Sequence, residues 1–191
     1  MAGDERVDYF IGSVHHVHGI PIDYDKTFYA KAVTASGGSN EKLFGDYYDA
    51  QLEMLNVLKP RVVGHFDLIR LLADEKDACP TRWVGVWEKI VRNLRVVVEQ
   101  GGLLEVNSSG LRKGMREPYP GKRIVEEFLG MGGRLTLSDD SHGVEQVGAC
   151  FGGVVEFLEG VGVDKVWGLE RRDGVLEVVR VGLDVVRGSL K

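Results

Sequence analysis

Short apolar runs typical of buried strands alternate with longer segments whose apolar residues recur at helical spacing. The predicted strands are Tyr9 to Val14, Arg61 to Gly64, Leu103 to Asn107, Arg134 to Leu137 and Val163 to Leu169. The predicted helices are Glu41 to Leu58, Trp83 to Gln100, Pro120 to Leu129 and Glu145 to Leu158. This alternation is typical of repeated βα units, so it predicts an α/β fold with a parallel sheet.

The end of the chain has a different pattern. Arg171 to Gly174 is predicted to form a turn, and Val175 to Leu183 a strand or the second arm of a hairpin. The pattern indicates neither a linker nor a tandem repeat beyond the βα alternation. We therefore predict a single domain over residues 1–191, with a terminal strand or hairpin region at 163–191.

Composition narrows the class of protein and its partners. The 191 residues carry a net charge of −5 and no block of Lys and Arg, so nucleic acid is not expected as a partner. The two cysteines, Cys79 and Cys150, lie far apart, which predicts reduced thiols and a cytoplasmic location. The N-terminal segment is charged, and the longest weakly apolar stretch, Val147 to Val155, is too short to span a membrane. Neither secretion nor membrane insertion is expected.

All five histidines lie at or just after a predicted strand end: His15, His16, His18, His65 and His142. In α/β folds, ligands bind at the carboxyl ends of the parallel strands. A single histidine is usually a surface or structural residue, but several imidazoles together with a carboxylate favour a metal site. In an extended segment His16 and His18 share one face and His15 takes the other, so all three bind one ion only if the chain turns.

Two further segments carry candidate chemistry. Asp140 and His142 are two residues apart, so both can face one site. Without the other histidines, this short pattern would favour Asp140 as the cap of the next helix. In the segment 105–114, Glu105 and Asn107 share a strand face. The following Ser108, Ser109, Arg112 and Lys113 are residue types that bind phosphate, although a solvated polar loop explains them equally well.

Five ordered segments match one known family: Ile11 to His18, Val62 to Ile69, Gly102 to Gly114, Glu117 to Pro120 and Leu137 to Gly143. In order and spacing they resemble the fungal-type monofunctional histidinol-phosphatases of the PHP (polymerase and histidinol phosphatase) superfamily. The resemblance covers roughly Val7 to Gly162.

The resemblance implies a distorted (β/α)7 barrel that binds two or three divalent ions (Zn, Mn or Fe). It also implies hydrolysis of L-histidinol phosphate to L-histidinol and phosphate in L-histidine biosynthesis. The metal ligands it implies are His15, His65, Asp140 and His142, and the last two are also the implied catalytic residues. On the substrate side it implies His18, Asn107, Ser109, Arg112, Lys113 and Tyr119.

The sequence departs from the family pattern at its start. The family has an H-x-H motif on its first strand, then another His and a metal-bridging Glu, and none of these is found before Ile11. We therefore expect a partial barrel of about five strands and four helices, with the first βα units absent. Weakened catalysis and self-association through open barrel edges are expected.

Two alternatives to this function stay open. The first is a non-catalytic remnant of the same fold that binds metal or a partner. The second is a PHP phosphoesterase with another small phosphorylated substrate.

Overall fold

A computed structural model describes residues 6–190 of the chain. Within these residues a parallel sheet of four strands has the order β1-β4-β5-β6. The strands are β1 (Ile11–Gly12), β2 (His16–Val17), β3 (Ile20–Pro21), β4 (Val62–Val63), β5 (Leu103–Asn107), β6 (Arg134–Ser138), β7 (Lys165–Arg172) and β8 (Val175–Gly182). The prediction of an α/β fold with a parallel sheet is confirmed.

The described residues form the helices α1 (Lys26–Ala35), α2 (Asn40–Leu58), α3 (Val84–Glu99), α4 (Ser109–Arg112), α5 (Lys122–Gly130), α6 (Phe151–Gly160) and α7 (Leu183–Gly188). The bounds of α2, α3 and α5 lie within two residues of the prediction. Helix α6 begins later than Glu145, because Gly148 and Cys150 adopt left-handed conformations that interrupt a helix. Helix α1 was not predicted, since only Tyr29 and Ala32 of its ten residues are buried.

The segment predicted as the fifth strand of the parallel sheet has a different pairing. Strand β7 pairs antiparallel with β8 in a separate two-stranded sheet. Asp173 and Gly174 form the turn, both with positive φ, and this conformation matches the twist of a tight hairpin. The predicted turn and hairpin arm are therefore confirmed, whereas membership of β7 in the parallel sheet is corrected.

The core lies between the parallel sheet and the long helices. All five residues of β5 are buried, as expected for a central strand covered on both faces. The largest fully buried side chains include Tyr47, Tyr48, Phe66 and Phe128. This packing fixes the carboxyl ends of the strands, where the candidate site is found.

Two glycines, Gly130 at the end of α5 and Gly133 just after it, give a test of this packing. A Cβ on Gly133 would lie 2.5 Å from the ring of Phe128, whereas a Cβ on Gly130 would meet no atom of the described residues within 4 Å. Phe128 is fully buried and has little room to move. Gly133→Ala is therefore expected to lower the free energy of unfolding by about 1–3 kcal/mol, measured by urea denaturation. Gly130→Ala is the matched control, and an equal loss in both variants would contradict this account.

Two other features bear on the expectations from composition. Among residues 6–190, no helix is long and apolar enough to cross a membrane. Cys79 and Cys150 are both free thiols and both exposed.

Candidate metal centre

Two histidines meet at the carboxyl edge of the parallel sheet. His15 follows β1 and His65 follows β4, and these strands are hydrogen-bonded neighbours. The ring centroids of His15 and His65 are 4.8 Å apart in an edge-to-face arrangement. The carboxylate of Asp140, after β6, is close enough to favour the protonated form of both imidazoles. The predicted convergence of strand ends therefore brings three of the predicted ligands into one region.

The two imidazoles differ in their environment. His65 is buried, and burial lowers the pKa of its imidazole, so the ring is neutral near pH 7. Its Nδ1 atom is buried without a hydrogen-bond partner among the described residues. The His15 ring is more exposed, and its Nδ1 lies 2.8 Å from Oδ2 of Asp23. This hydrogen bond raises the pKa of His15.

Glu105 of β5 holds the backbone of His65. The buried Glu105 carboxylate accepts the His65 backbone N–H at 2.6 Å and an N–H of the Asn107 amide at 2.9 Å. His65 has a φ of 22°, a conformation that non-glycine residues rarely adopt. A Cβ on the neighbouring Gly64 would lie 2.8 Å from Ile11, so only glycine fits between β1 and β5 there. The position of the His65 ring is therefore set by the sheet.

Arg112 holds the loop that carries Asp140. Its guanidinium donates to the carbonyls of Asp139 and Asp140, at 2.8 and 3.0 Å, and to the side chain of Gln146 at 2.8 Å. Nδ1 of the exposed His142 ring lies 2.8 Å from the Asp140 carbonyl. The ammonium group of Lys113 is 3.7 Å from the Asp140 carboxylate. The two terminal nitrogens of Arg112 are thus used within the chain, whereas its Nε is buried without a partner among the described residues. Lys113 is the more exposed cation beside Asp140.

The other predicted substrate residues are mostly buried. Asn107, Ser109 and Tyr119 are at most 1% exposed. The centroid of the Tyr119 ring lies 6.5 Å from that of the His65 ring. The hydroxyls of Ser109 and Tyr119 have no hydrogen-bond partner in the described part of the chain. His18 is exposed and pairs with Asp46 of α2 at 2.7 Å. Of these four residues, Tyr119 is the one whose side chain has a ring contact with His65 in the described part of the chain.

Part of the donor chemistry suits a divalent ion. A neutral imidazole with an unpartnered Nδ1 next to a second imidazole and near a carboxylate is typical of sites for Zn and related metals. Across residues 6–190, however, no three His, Cys, Asp or Glu side chains are placed to hold one ion together. The residues that fit are His15 and His65, with Asp140 in support.

Two residues with roles at this site were not predicted. Asp23, which orients His15, lies just beyond the β2-β3 hairpin. The signal for this hairpin was the pair His18-Gly19, which forms its turn with positive φ at both residues. For Glu105, the sequence predicted only that its side chain shares a strand face with Asn107, and not that it binds the His65 backbone. A carboxylate within the apolar run Leu103 to Val106 was itself a signal, because a buried charge needs hydrogen-bond donors.

Comparisons with known proteins agree with this architecture. The family model of the PHP domain matches residues 2–109. The chain is 42% identical to the "Probable histidinol-phosphatase" of Schizosaccharomyces pombe, covering 87% of this chain and 55% of that protein. It is 36% identical to the histidinol-phosphatase of Saccharomyces cerevisiae, covering 81% of this chain and 52% of that protein. The chain therefore spans about half the length of these curated relatives.

A solved structure shares the fold. The histidinol phosphate phosphatase of Lactococcus lactis, crystallised with Zn, L-histidinol and phosphate, superposes with a TM-score of 0.65 at 17% identity. The match covers 92% of this chain and 64% of the L. lactis chain. The family model covers more than half of the chain and coincides with the region of β1, β4 and β5, so the chain belongs to the PHP domain family.

Proposed function

We propose that this chain is a metal-dependent phosphomonoesterase that hydrolyses L-histidinol phosphate to L-histidinol and phosphate. The observation that carries the proposal is the contact of His15 with His65, whose buried Nδ1 has no partner in the described residues. Relatives at 36–42% identity are named histidinol-phosphatases, which supports the choice of substrate. The four parallel strands would form part of a distorted (β/α)7 barrel.

In this proposal the ion ligands are His15, His65, Asp140 and His142. Divalent ions such as Zn, Mn or Fe, when bound, lower the pKa of a bound water and neutralise phosphoryl oxygens. Asp140 also lies beside Lys113, whose ammonium group can bind a phosphoryl oxygen. Nδ1 of His142 donates to the Asp140 carbonyl, which leaves its Nε2 to bind an ion, so we assign Asp140 and His142 their catalytic role as ligands of the ion that would activate the water.

The remaining substrate-side residues are assigned to different parts of the substrate. Tyr119 lies next to His65, and its unpartnered hydroxyl suits a polar group near the phosphate. We assign Ser109 and Asn107 to the same side, and Arg112 to the support of the phosphate-binding loop. His18, near the exposed edge of α2, is assigned to the distal part of the substrate.

The setting of the reaction is part of the proposal. Two exposed free cysteines favour a reducing compartment, so we place the protein in the cytoplasm. Strand β1 is an edge of the parallel sheet, and Ile11 on it is 46% exposed. We propose that the chain self-associates through this edge.

The test is phosphate release from L-histidinol phosphate by the purified chain with added Zn, Mn or Fe(II). Release is expected to depend on the metal and to stop with a chelator. His65→Ala and Asp140→Asn are each expected to lower the rate by about 10²-fold or more, since even residues that only orient metal ligands contribute 10–100-fold. Asp164→Asn is the matched control, because Asp164 is exposed and lies outside the candidate site.

A second candidate function is metal binding without turnover. The observation that favours it is that no set of three donors is placed around one ion within residues 6–190. Zinc binding measured by calorimetry, together with no phosphate release, would support this candidate and overturn the phosphatase proposal.

A further inference from the structure

The segment that carries Asp140 and His142 is held by side chains. Residues 139–143 connect the end of β6 to a single 3-10 turn, Val144–Gln146, and themselves form neither helix nor strand. Asp140 has a φ of 50°, a conformation that non-glycine residues rarely adopt. Such a conformation persists only where the surrounding contacts hold it. The contacts around this segment therefore decide where its side chains point.

One side-chain oxygen joins this segment to α4. Oε1 of Gln146 accepts the backbone N–H of His142 at 3.0 Å and an N–H of the Arg112 guanidinium at 2.8 Å. Both partners can only donate, so the atom between them is the oxygen of the amide and not its nitrogen. Arg112 also donates to the carbonyls of Asp139 and Asp140. Gln146 and Arg112 thus hold the segment at three backbone groups.

These contacts fix the direction of the His142 ring. Gln146 holds its backbone N–H, and the Asp140 carbonyl lies 2.8 Å from Nδ1 of the ring. That carbonyl is in turn held by Arg112. His142 is exposed, so packing in the core does not restrict its ring and the hydrogen bonds orient it. With Nδ1 used in this way, Nε2 is the ring nitrogen left for an ion.

We infer that Gln146 is a positioning residue for the metal centre, which holds His142 so that Nε2 is free to bind the ion. The inference rests on the proposed function, because it takes Asp140 and His142 as ion ligands. The amide oxygen of Gln146 has two lone pairs, and its two donors use both of them. Gln146 therefore acts through His142 and is not itself a ligand.

The test is the zinc affinity of two Gln146 variants, measured by competition with a chromophoric chelator. Gln146→Met keeps the length of the side chain but removes the acceptor, and zinc affinity is expected to fall by about 10–100-fold. Gln146→Glu keeps an acceptor oxygen, so its zinc affinity is expected to match or exceed that of the parent chain. Both variants are expected to fold, because the turn contains no buried residue. Val144→Met, at a position 90% exposed in the same turn, is the control with unchanged affinity.

A second readout needs no metal ion. With EDTA present, the His142 backbone amide is expected to exchange its hydrogen about fivefold faster or more in Gln146→Met than in the parent chain, because its acceptor is gone. Gln146→Glu is expected to restore the slower exchange. Hydrogen exchange followed by NMR measures both rates. A role of Gln146 in the shape of the turn alone would change both variants alike.

The inference is overturned by an unchanged zinc affinity or an unchanged His142 exchange rate in Gln146→Met. An equal loss in Gln146→Met and Gln146→Glu would also overturn it, as would a parent chain that binds no zinc. The phosphatase proposal fails on a different measurement, which is the absence of phosphate release from a parent chain that does bind zinc. The two failures are therefore distinguishable.

Discussion

Replacing Arg70 by Met is expected to lower the free energy of unfolding by about 3–5 kcal/mol, because it leaves the Asp67 carboxylate buried without its counter-ion. The two side chains are 11% and 5% exposed, so water cannot replace the lost partner. The Arg70 guanidinium also donates to the carbonyls of Lys76, Glu117 and Pro118, which would lose a donor. Urea denaturation measures this loss. The slope of the free energy of unfolding against urea concentration should stay the same, so that only the midpoint shifts.

The Arg70→Met effect should depend on pH. Burial raises the pKa of Asp67, and the positive charge of Arg70 opposes this shift. Without Arg70 the pKa rises further, and an acid with a higher pKa in the folded state favours folding only when it is protonated. The loss of stability should therefore be smaller near about pH 5 than near about pH 8.

A matched control separates this effect from a general loss of positive charge. Arg116 lies at the surface with 86% of its side chain exposed and approaches the same acidic residue, Asp77, as Arg70 does. Arg116→Met is expected to change stability by less than about 0.5 kcal/mol. A loss in Arg70→Met that is equally small, or that grows as the pH falls, would contradict the buried ion pair.

Replacing Glu105 by Ala is the second large effect that we expect. It removes the acceptor of the His65 backbone N–H and of the Asn107 amide, and both donors are buried. The expected cost is about 2–4 kcal/mol, since each unsatisfied buried donor costs about 1–3 kcal/mol. Because Glu105 holds His65 in a strained conformation, zinc affinity should also fall by about 10–100-fold.

Glu105→Gln provides a graded comparison, because its amide oxygen can still accept while the charge is lost. We expect Glu105→Gln to lower the free energy of unfolding by about half as much as Glu105→Ala, since charge-assisted hydrogen bonds are about twice as strong as neutral ones. Glu99→Ala, at the exposed end of α3, is the control for loss of a carboxylate. If Glu105→Ala kept both the stability and the zinc affinity of the parent chain, the assigned role of Glu105 would be wrong.

The sequence predicted the elements whose pattern is set by burial. Strand β5 has the predicted bounds, and α2 and α3 lie within one residue of theirs, because these elements carry long apolar patterns against one core. Helix α1 was missed because it is largely exposed and its apolar periodicity is weak. The pairing of β7 was mispredicted because a strand's apolar pattern does not specify which neighbour it pairs with.

The candidate site was predictable only in part. Ligands bind at the carboxyl ends of parallel strands, and this rule predicted that His15, His65 and Asp140 would lie close together. The orientation of each side chain was not predictable, because it depends on contacts between residues distant in sequence. Arg112 is an example: the resemblance implied a role on the substrate side, and the hydrogen bonds of its guanidinium to the loop of Asp140 were not predictable from the sequence.

The hydrogen bond from the His65 backbone N–H to the Glu105 carboxylate should also determine how fast this amide exchanges its hydrogen with solvent. Loop amides usually exchange their hydrogen with solvent quickly, because small local openings expose them. The amide of His65 belongs to a loop, but its acceptor sits in the fully buried β5. In hydrogen exchange it should therefore be as slow as the amides of β5 itself. The histidine would thus keep its position for as long as the centre of the sheet stays closed.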